Sequence, residues 1–211
     1  LGMTYMPTET ISLGFTYTSP QNIDHDKVAD LDQDGSLDTL KLEAPQQLGF
    51  GVAFEMMENK LLLGTDVKWI NWSSANGYED FDWDDQYVLA LGGQYQATEK
   101  MVFRAGYNFS ENPVNDHSGF VGNSLTTVQG KTMPAYYYET FRIIGFPAIV
   151  EQHITFGFGY QFTKRFSMDL GYMYAFEETM TETGTDLAGL PVTIESTLSE
   201  QSLDLGLTWN F

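Results

Sequence analysis

Leu203-Asp204-Leu205-Gly206-Leu207-Thr208-Trp209-Asn210-Phe211 closes the chain with a large apolar group at each odd position and a small or polar one at each even position. This is the period of a β-strand with two unlike faces. A soluble sheet seldom places five large apolar side chains in unbroken alternation on a final strand. A strand set between lipid and a polar lumen needs that pattern. An amphipathic edge strand of a soluble protein shows it too, so the fold class rests on recurrence.

The pattern recurs along the whole chain. Ile154, Phe156, Phe158, Tyr160 and Phe162 alternate with His153, Thr155, Gly157, Gly159 and Gln161, and Phe166 to Phe176 alternates in the same way. Upstream, outward sets start at Ile11, Leu48, Leu61, Tyr87 and Met101. Each run is about ten residues, the length that a tilted strand needs to cross the hydrocarbon layer. Eight complete strands follow the tail of a ninth at Leu1 to Tyr5. The connections at Met6–Glu9, Met56–Asn59, Ala97–Glu99 and Thr163–Arg165 are tight, whereas those at 19–44, 73–85, 110–150 and 177–200 are long. Short turns belong on the periplasmic side of an outer-membrane barrel and long loops outside. The fold class is therefore all-β, a transmembrane antiparallel β-barrel, with 1–211 as a single barrel segment.

Composition agrees. Mean hydropathy is −0.25, and no run is long and apolar enough for a transmembrane helix; half of each barrel strand is polar, so its average is unremarkable. Cysteine is absent, which suits passage through an oxidising periplasm. Trp72, Tyr78, Phe81 and Trp83 are candidates for an interfacial aromatic girdle.

The net charge of −19 is unevenly spread. The windows 19–44, 73–85 and 177–200 hold 18 of the 29 acids, while Lys60, Lys100, Lys164 and Arg165 carry or adjoin the short turns. Solvated loops account for such acids, and divalent cations bridging outer-leaflet lipopolysaccharide are natural partners. Nucleic acid is not. One stretch, Asp30-Leu31-Asp32-Gln33-Asp34-Gly35-Ser36-Leu37-Asp38, spaces Asp30, Asp32, Asp34 and Asp38 around a turn that Gly35 permits. Ca²⁺ takes such hard oxygen ligands, although Lys41 stands where an EF-hand has its bidentate Glu. A plain Asp/Gly turn is the alternative; no other cofactor is expected.

Enzyme signatures are missing: His25, His117 and His153 are isolated, and no nucleophile elbow, zinc-helix motif or phosphate loop occurs. Asp66, Lys68, Arg104, His153, Asp169 and Asp204 fall on inward faces, where opposite charges form a lumen polar network more readily than a relay. Many other inward positions are glycine, including Gly51, Gly64, Gly92, Gly106, Gly157 and Gly159. Such sparse bulk fills a small closed barrel poorly. The stretch from Phe120 to Val150 is too apolar to float in water, and Phe120, Tyr136, Tyr137, Phe141 and Phe146 are its candidate substrate contacts. Arg142 or Lys131 is within the same stretch to meet a carboxylate head group.

Several segments resemble one family: Ala44-Pro45-Gln46-Gln47-Leu48-Gly49-Phe50, Gly64-Thr65-Asp66-Val67-Lys68-Trp69, Phe81-Asp82-Trp83-Asp84-Asp85-Gln86, Phe103-Arg104-Ala105-Gly106-Tyr107-Asn108, and Phe146-Pro147-Ala148-Ile149-Val150 through Tyr160. In order and spacing they are similar to the FadL/TodX outer-membrane transporters of long-chain fatty acids and hydrocarbons. The resemblance implies a fourteen-stranded barrel plugged by an amino-terminal hatch, with this chain supplying the carboxy-terminal eight to nine strands. It also implies a monomer in the outer membrane of a Gram-negative bacterium, inserted by the barrel assembly machinery that reads a terminal Phe, and passive uptake of hydrophobic compounds. The chain starts inside a strand, with no initiating Met and no signal peptide, and the hatch, its Asn-Pro-Ala motif and the kinked strand beside a lateral opening are expected upstream. A general porin and a small structural or adhesive barrel remain as alternatives. The acidic loops do not choose between a fatty acid and an aromatic hydrocarbon.

Overall fold

A computed structural model describes residues 1–30, 32, 34–145 and 147–211. In chain order the elements are β1 (Gly2–Thr8), β2 (Ile11–Thr18), β3 (Gln21–Ala29), β4 (Asp38–Ala44), β5 (Gln47–Met56), β6 (Leu61–Ile70), β7 (Gln86–Thr98), β8 (Met101–Ser110), β9 (Leu125–Val128), β10 (Lys131–Pro134), α1 (Ala135–Gly145), β11 (Gln152–Gln161), β12 (Phe166–Thr185) and β13 (Pro191–Trp209). Nine of the strands form one sheet in the order β1-β2-β5-β6-β7-β8-β11-β12-β13. All its neighbours are antiparallel. The strands expected from side-chain alternation are all present.

Register fixes the two faces, because a one-residue slip would exchange them. Phe15, Phe50, Val67, Leu89 and Phe109 pair in one row across five strands, and Phe158, Leu170 and Leu205 form another. These rows are the outward face. Phe50, Val67 and Phe156 are each half exposed or more, a surface that water alone would not tolerate over so many strands. The opposite face carries the row Gly51, Asp66, Ala90, Asn108, His153 and Ala175. A trough of about 620 Å³ on the outward side, bounded by Tyr95, Phe103, Phe156 and Leu170, has Gly93 and Ala105 in its floor. It opens on the outward, apolar face of the sheet.

Three expectations are corrected. The connection 177–200 is not a loop: β12 and β13 run on as a hairpin of 20 and 19 residues. Its many Glu residues hid a Thr-rich β pattern; β-branched Thr favours strands, and the Thr179 and Thr197 hydroxyls meet across the hairpin at 2.8 Å. Register slips between Ala175 and Glu178, where Phe176 and Glu177 together oppose Ser199. This bulge changes which residues face inward, so odd-numbered Asp169 and Ala175 face in below it and even-numbered Met180 and Glu182 are buried above it. The long connection 19–44 contains the β3–β4 hairpin. Finally, the supposed girdle is not at a lipid interface. Phe81 and Trp83 are 1% and 4% exposed, packed with Val114, Tyr138, Ile143, Met180 and Ile194, while Trp72 and Tyr78 lie against the same cluster. Trp72, Tyr78 and Trp83 pack as a triad with ring centroids 4.6 to 5.1 Å apart. The apolar core thus sits at the outer end of the barrel, inside a cap made by the connections.

Candidate functional site

The cap is organised by α1, which sequence periodicity did not reveal. Its buried residues are Ala135, Tyr138, Glu139, Arg142 and Ile143, the spacing of one helical face. Two of them are charged, so the apolar signal is broken although the face is continuous. At its start the backbone N–H groups of Ala135 and Tyr136 donate to the Ser124 and Gly122 carbonyls at 2.8 and 3.1 Å, which satisfies donors that a helix leaves unpaired. Arg142, in the last turn, is fully buried. Its Nε donates to Glu139 at 3.0 Å and its Nη1 to the Asn115 carbonyl at 2.6 Å, while Nη2 binds Glu182, itself fully buried on β12. The Arg142 guanidinium therefore fastens α1 to the long hairpin and to the segment before Phe120.

His117 extends this network. Its Nδ1 lies 3.1 Å from Glu139 and its Nε2 2.9 Å from Asp82, and its backbone N–H donates to Glu182. A neutral imidazole donates through one nitrogen only, so both carboxylates are satisfied only by the imidazolium. The hydrogen bond that His117 donates to Glu139 is the largest influence and raises the His117 pKa above 6.5, with Asp82 acting in the same direction; burial and the Arg142 charge oppose it. Asp116 adjoins in sequence. A raised folded-state pKa gives stability that is complete below the unfolded value and lost as pH rises through the folded value. Protection of the α1 amides against hydrogen exchange is therefore expected to fall on the alkaline side of pH 6.5, and His117→Gln to abolish that dependence. An unchanged profile in the variant would show that another group titrates.

The expected substrate contacts separate into two kinds. Phe120 and Phe141 pack against the cap core; Phe141 meets Phe81 at 5.8 Å. The Phe120 ring lies over Gly184, where a Cβ would come within 2.5 Å of it, so the hairpin can approach only because that residue is glycine. Tyr137 is 40% exposed and Ile144, two turns along the same side of α1, is 57% exposed. Tyr136 is half-buried beside Tyr137, with ring centroids 6.0 Å apart. Phe146 lies outside the described residues.

On the lumen face, one expected contact forms. Arg104 Nη1 meets Asp169 at 2.9 Å and its Nε donates to Gln94 at 2.8 Å. The inward glycines make room for these side chains: a Cβ on Gly157 would stand 3.1 Å from Arg104, and one on Gly159 2.6 Å from Asp169. Asp66 leans over Gly51 in the same way. Lys68 is exposed two residues from Asp66, Asp204 accepts from Ser202 at 3.4 Å, and His153 pairs in register with Asn108. The six residues thus share a face without forming one network. Between Asp66 and Arg104, a hollow of about 430 Å³ lies over Gly64, Gly92 and Gly106, three glycines in direct cross-strand register. Gln94 and Asn108 also line it; as polar side chains at inward positions they were identifiable from the alternation.

The acidic turn comes together partly as expected. Carboxylate oxygens of Asp30, Asp32 and Asp38 lie within 4.8 Å of one another. Asp34 instead accepts from the Ser36 N–H at 2.8 Å, and Asp30 accepts from Asp34 and Gly35. Lys131 Nζ sits 2.6 Å from Asp38 and 3.1 Å from Asp32. These two carboxylates, Asp38 foremost, raise the Lys131 pKa.

A family model described as outer membrane protein transport protein (OMPP1/FadL/TodX) matches residues 1–120. The chain belongs to this family. FadL/TodX proteins are outer-membrane transport proteins, not enzymes. Among solved structures, a Pseudomonas aeruginosa FadL homologue superposes with a TM-score of 0.62 at 16% identity, over 99% of this chain and 51% of its own. The Pseudomonas putida toluene transporter TodX gives 0.58 at 17% identity, over 100% and 48%, and the Ralstonia pickettii toluene transporter TbuX gives 0.53 at 15%, over 99% and 46%. The chain spans about half the length of these FadL/TodX structures, and its nine-stranded sheet is a partial barrel of their fold. Comparison with curated proteins gives no match.

Proposed function

We propose that the complete protein carries hydrophobic small molecules passively across the outer membrane, capturing them on the outer cap and passing them along the lumen wall. The carrying observation is the exposed apolar side of α1, Tyr137 and Ile144, set on a buried and internally braced cap. The glycine-floored hollow below it leaves space inside the wall, and relatives of this fold are described as toluene transporters. Membrane lipid and lipopolysaccharide are proposed as neighbours of the apolar wall, and the assembly machinery as the partner of β13 during insertion. We propose that it acts as a monomer. Uptake of labelled hydrophobic probes by cells with and without the full-length gene tests transport. Tyr137→Ala with Ile144→Ala is expected to weaken capture, by at most ~1.5–3 kcal/mol per side chain because both are already half exposed. Undiminished uptake in this pair would remove the α1 surface from the mechanism.

We also propose that Asp30, Asp32 and Asp38 hold Ca²⁺ when Lys131 is displaced. Three convergent carboxylates support this; the ammonium on two of them opposes it. Calorimetry in millimolar Ca²⁺ is expected to show weak binding, on the order of 10⁻⁴ to 10⁻³ M, tightened by Lys131→Met and abolished by Asp32→Ala. Equal heats in the wild type and both variants would leave the stretch as a turn.

A further inference from the structure

The outward columns of β12 and β13 change character at the bulge. Below it they hold Leu170, Tyr172, Leu203 and Leu205, each more than a third exposed. Above it Thr179, Thr181 and Thr183 stand opposite Thr197, Glu195 and Thr193, all exposed. Tyr172 and Gln201, bonded at 3.4 Å, lie near the change. A switch from apolar to hydroxyl side chains along one continuous face marks the level at which a barrel wall leaves hydrocarbon for the head-group layer.

The opposite face of the same rungs is occupied: Met180 and Ile194 pack in the cap core, and Glu182 holds Arg142. The hydroxyl face has no such cover. Among the described residues its side chains hydrogen-bond only to one another, Thr179 to Thr197 at 2.8 Å and Thr181 to Glu195 at 3.5 Å. Three rungs at two-residue intervals make a strip about 13 Å long. Each hydroxyl can donate one hydrogen bond and accept two, so most of that capacity points away from the protein, and the paired strands hold it in place before any partner arrives. No Lys or Arg occurs between 177 and 200. A strip without cations is unsuited to phosphate and suited to a neutral partner that both donates and accepts, as sugar hydroxyls do. Resting on the reading that this wall meets outer-membrane lipid, we propose that the threonine strip binds the core saccharide of lipopolysaccharide, the sugars that follow lipid A, where the outward face rises out of the hydrocarbon.

The test uses the full-length protein in detergent with Mg²⁺ and two fluorescently labelled lipopolysaccharides that share one lipid A, one with and one without its core saccharide. The core-bearing form is expected to bind more tightly by on the order of tenfold, the effect of one or two net hydrogen bonds. Free core oligosaccharide should compete for that advantage. Thr179→Val with Thr181→Val and Thr183→Val removes three hydroxyls but keeps the β-branched shape that strands favour; it is expected to bring the two affinities together while exchange protection in α1 stays as in the wild type. Equal binding of the two forms by the wild type, or a core preference that survives in the triple variant, would overturn the inference. The lipid-facing reading of the wall is tested apart from it, by charge substitution at Leu170, so either can fail alone.

Discussion

Arg142→Ala is expected to unfasten the outer cap while the barrel wall stays folded. The substitution leaves Glu139 and Glu182, 5% and 0% exposed, as buried carboxylates without their guanidinium. Breaking a buried ion pair from one side costs about 3–5 kcal/mol, a large fraction of the stability of any single unit. Exchange protection should vanish in α1 and in the outer half of the β12–β13 hairpin, and persist in β5 to β8. Combining Arg142→Met with Glu139→Gln and Glu182→Gln is expected to recover much of the loss, because the buried charges go together. Uniform loss of protection through the wall would show that cap and wall fold as one unit.

The second large effect lies in the wall. Leu170 pairs with Phe158 and Leu205 on the outward face, so Leu170→Arg places a charge against hydrocarbon and should cost ~2–4 kcal/mol near mid-membrane. The same change at Met173, on the lumen side of that strand, is expected to cost less because water can hydrate it. Reversible urea unfolding from liposomes measures both. Equal costs at the two positions would mean that the faces are not divided between lipid and water.

The wall was legible in the sequence because a two-residue period assigns every side chain to a face without knowledge of its neighbours. Leu203 to Phe211 and Ile154 to Phe162 show this most clearly. The cap was not legible, for particular reasons. The buried face of α1 includes Glu139 and Arg142, which read as surface, and the partner that neutralises Arg142 is Glu182, 40 residues away. The Thr and Glu residues after Phe176 look like a solvated loop until the pairing Thr179–Thr197 is seen. The Asp30–Asp38 turn was recognisable from its spacing, but Lys131, which occupies it, comes from a distant hairpin. Likewise the inward faces of Arg104 and Asp169 could be assigned from alternation, yet their contact spans 65 residues.

The bulge at Phe176 and Glu177 has a consequence for sequence drift. Above it, Met180 and Glu182 point into the cap only because two residues there oppose the single Ser199. Deleting either would leave a plausible-looking hairpin of nearly the same composition, yet rotate Glu182 toward solvent, bring Thr181 or Thr183 beneath Arg142, and strand that guanidinium. Within this stretch a gap of one residue is more disruptive than a gap of two. Insertions and deletions between descendants of this gene should therefore arise here in even numbers, or be matched by a change on β13.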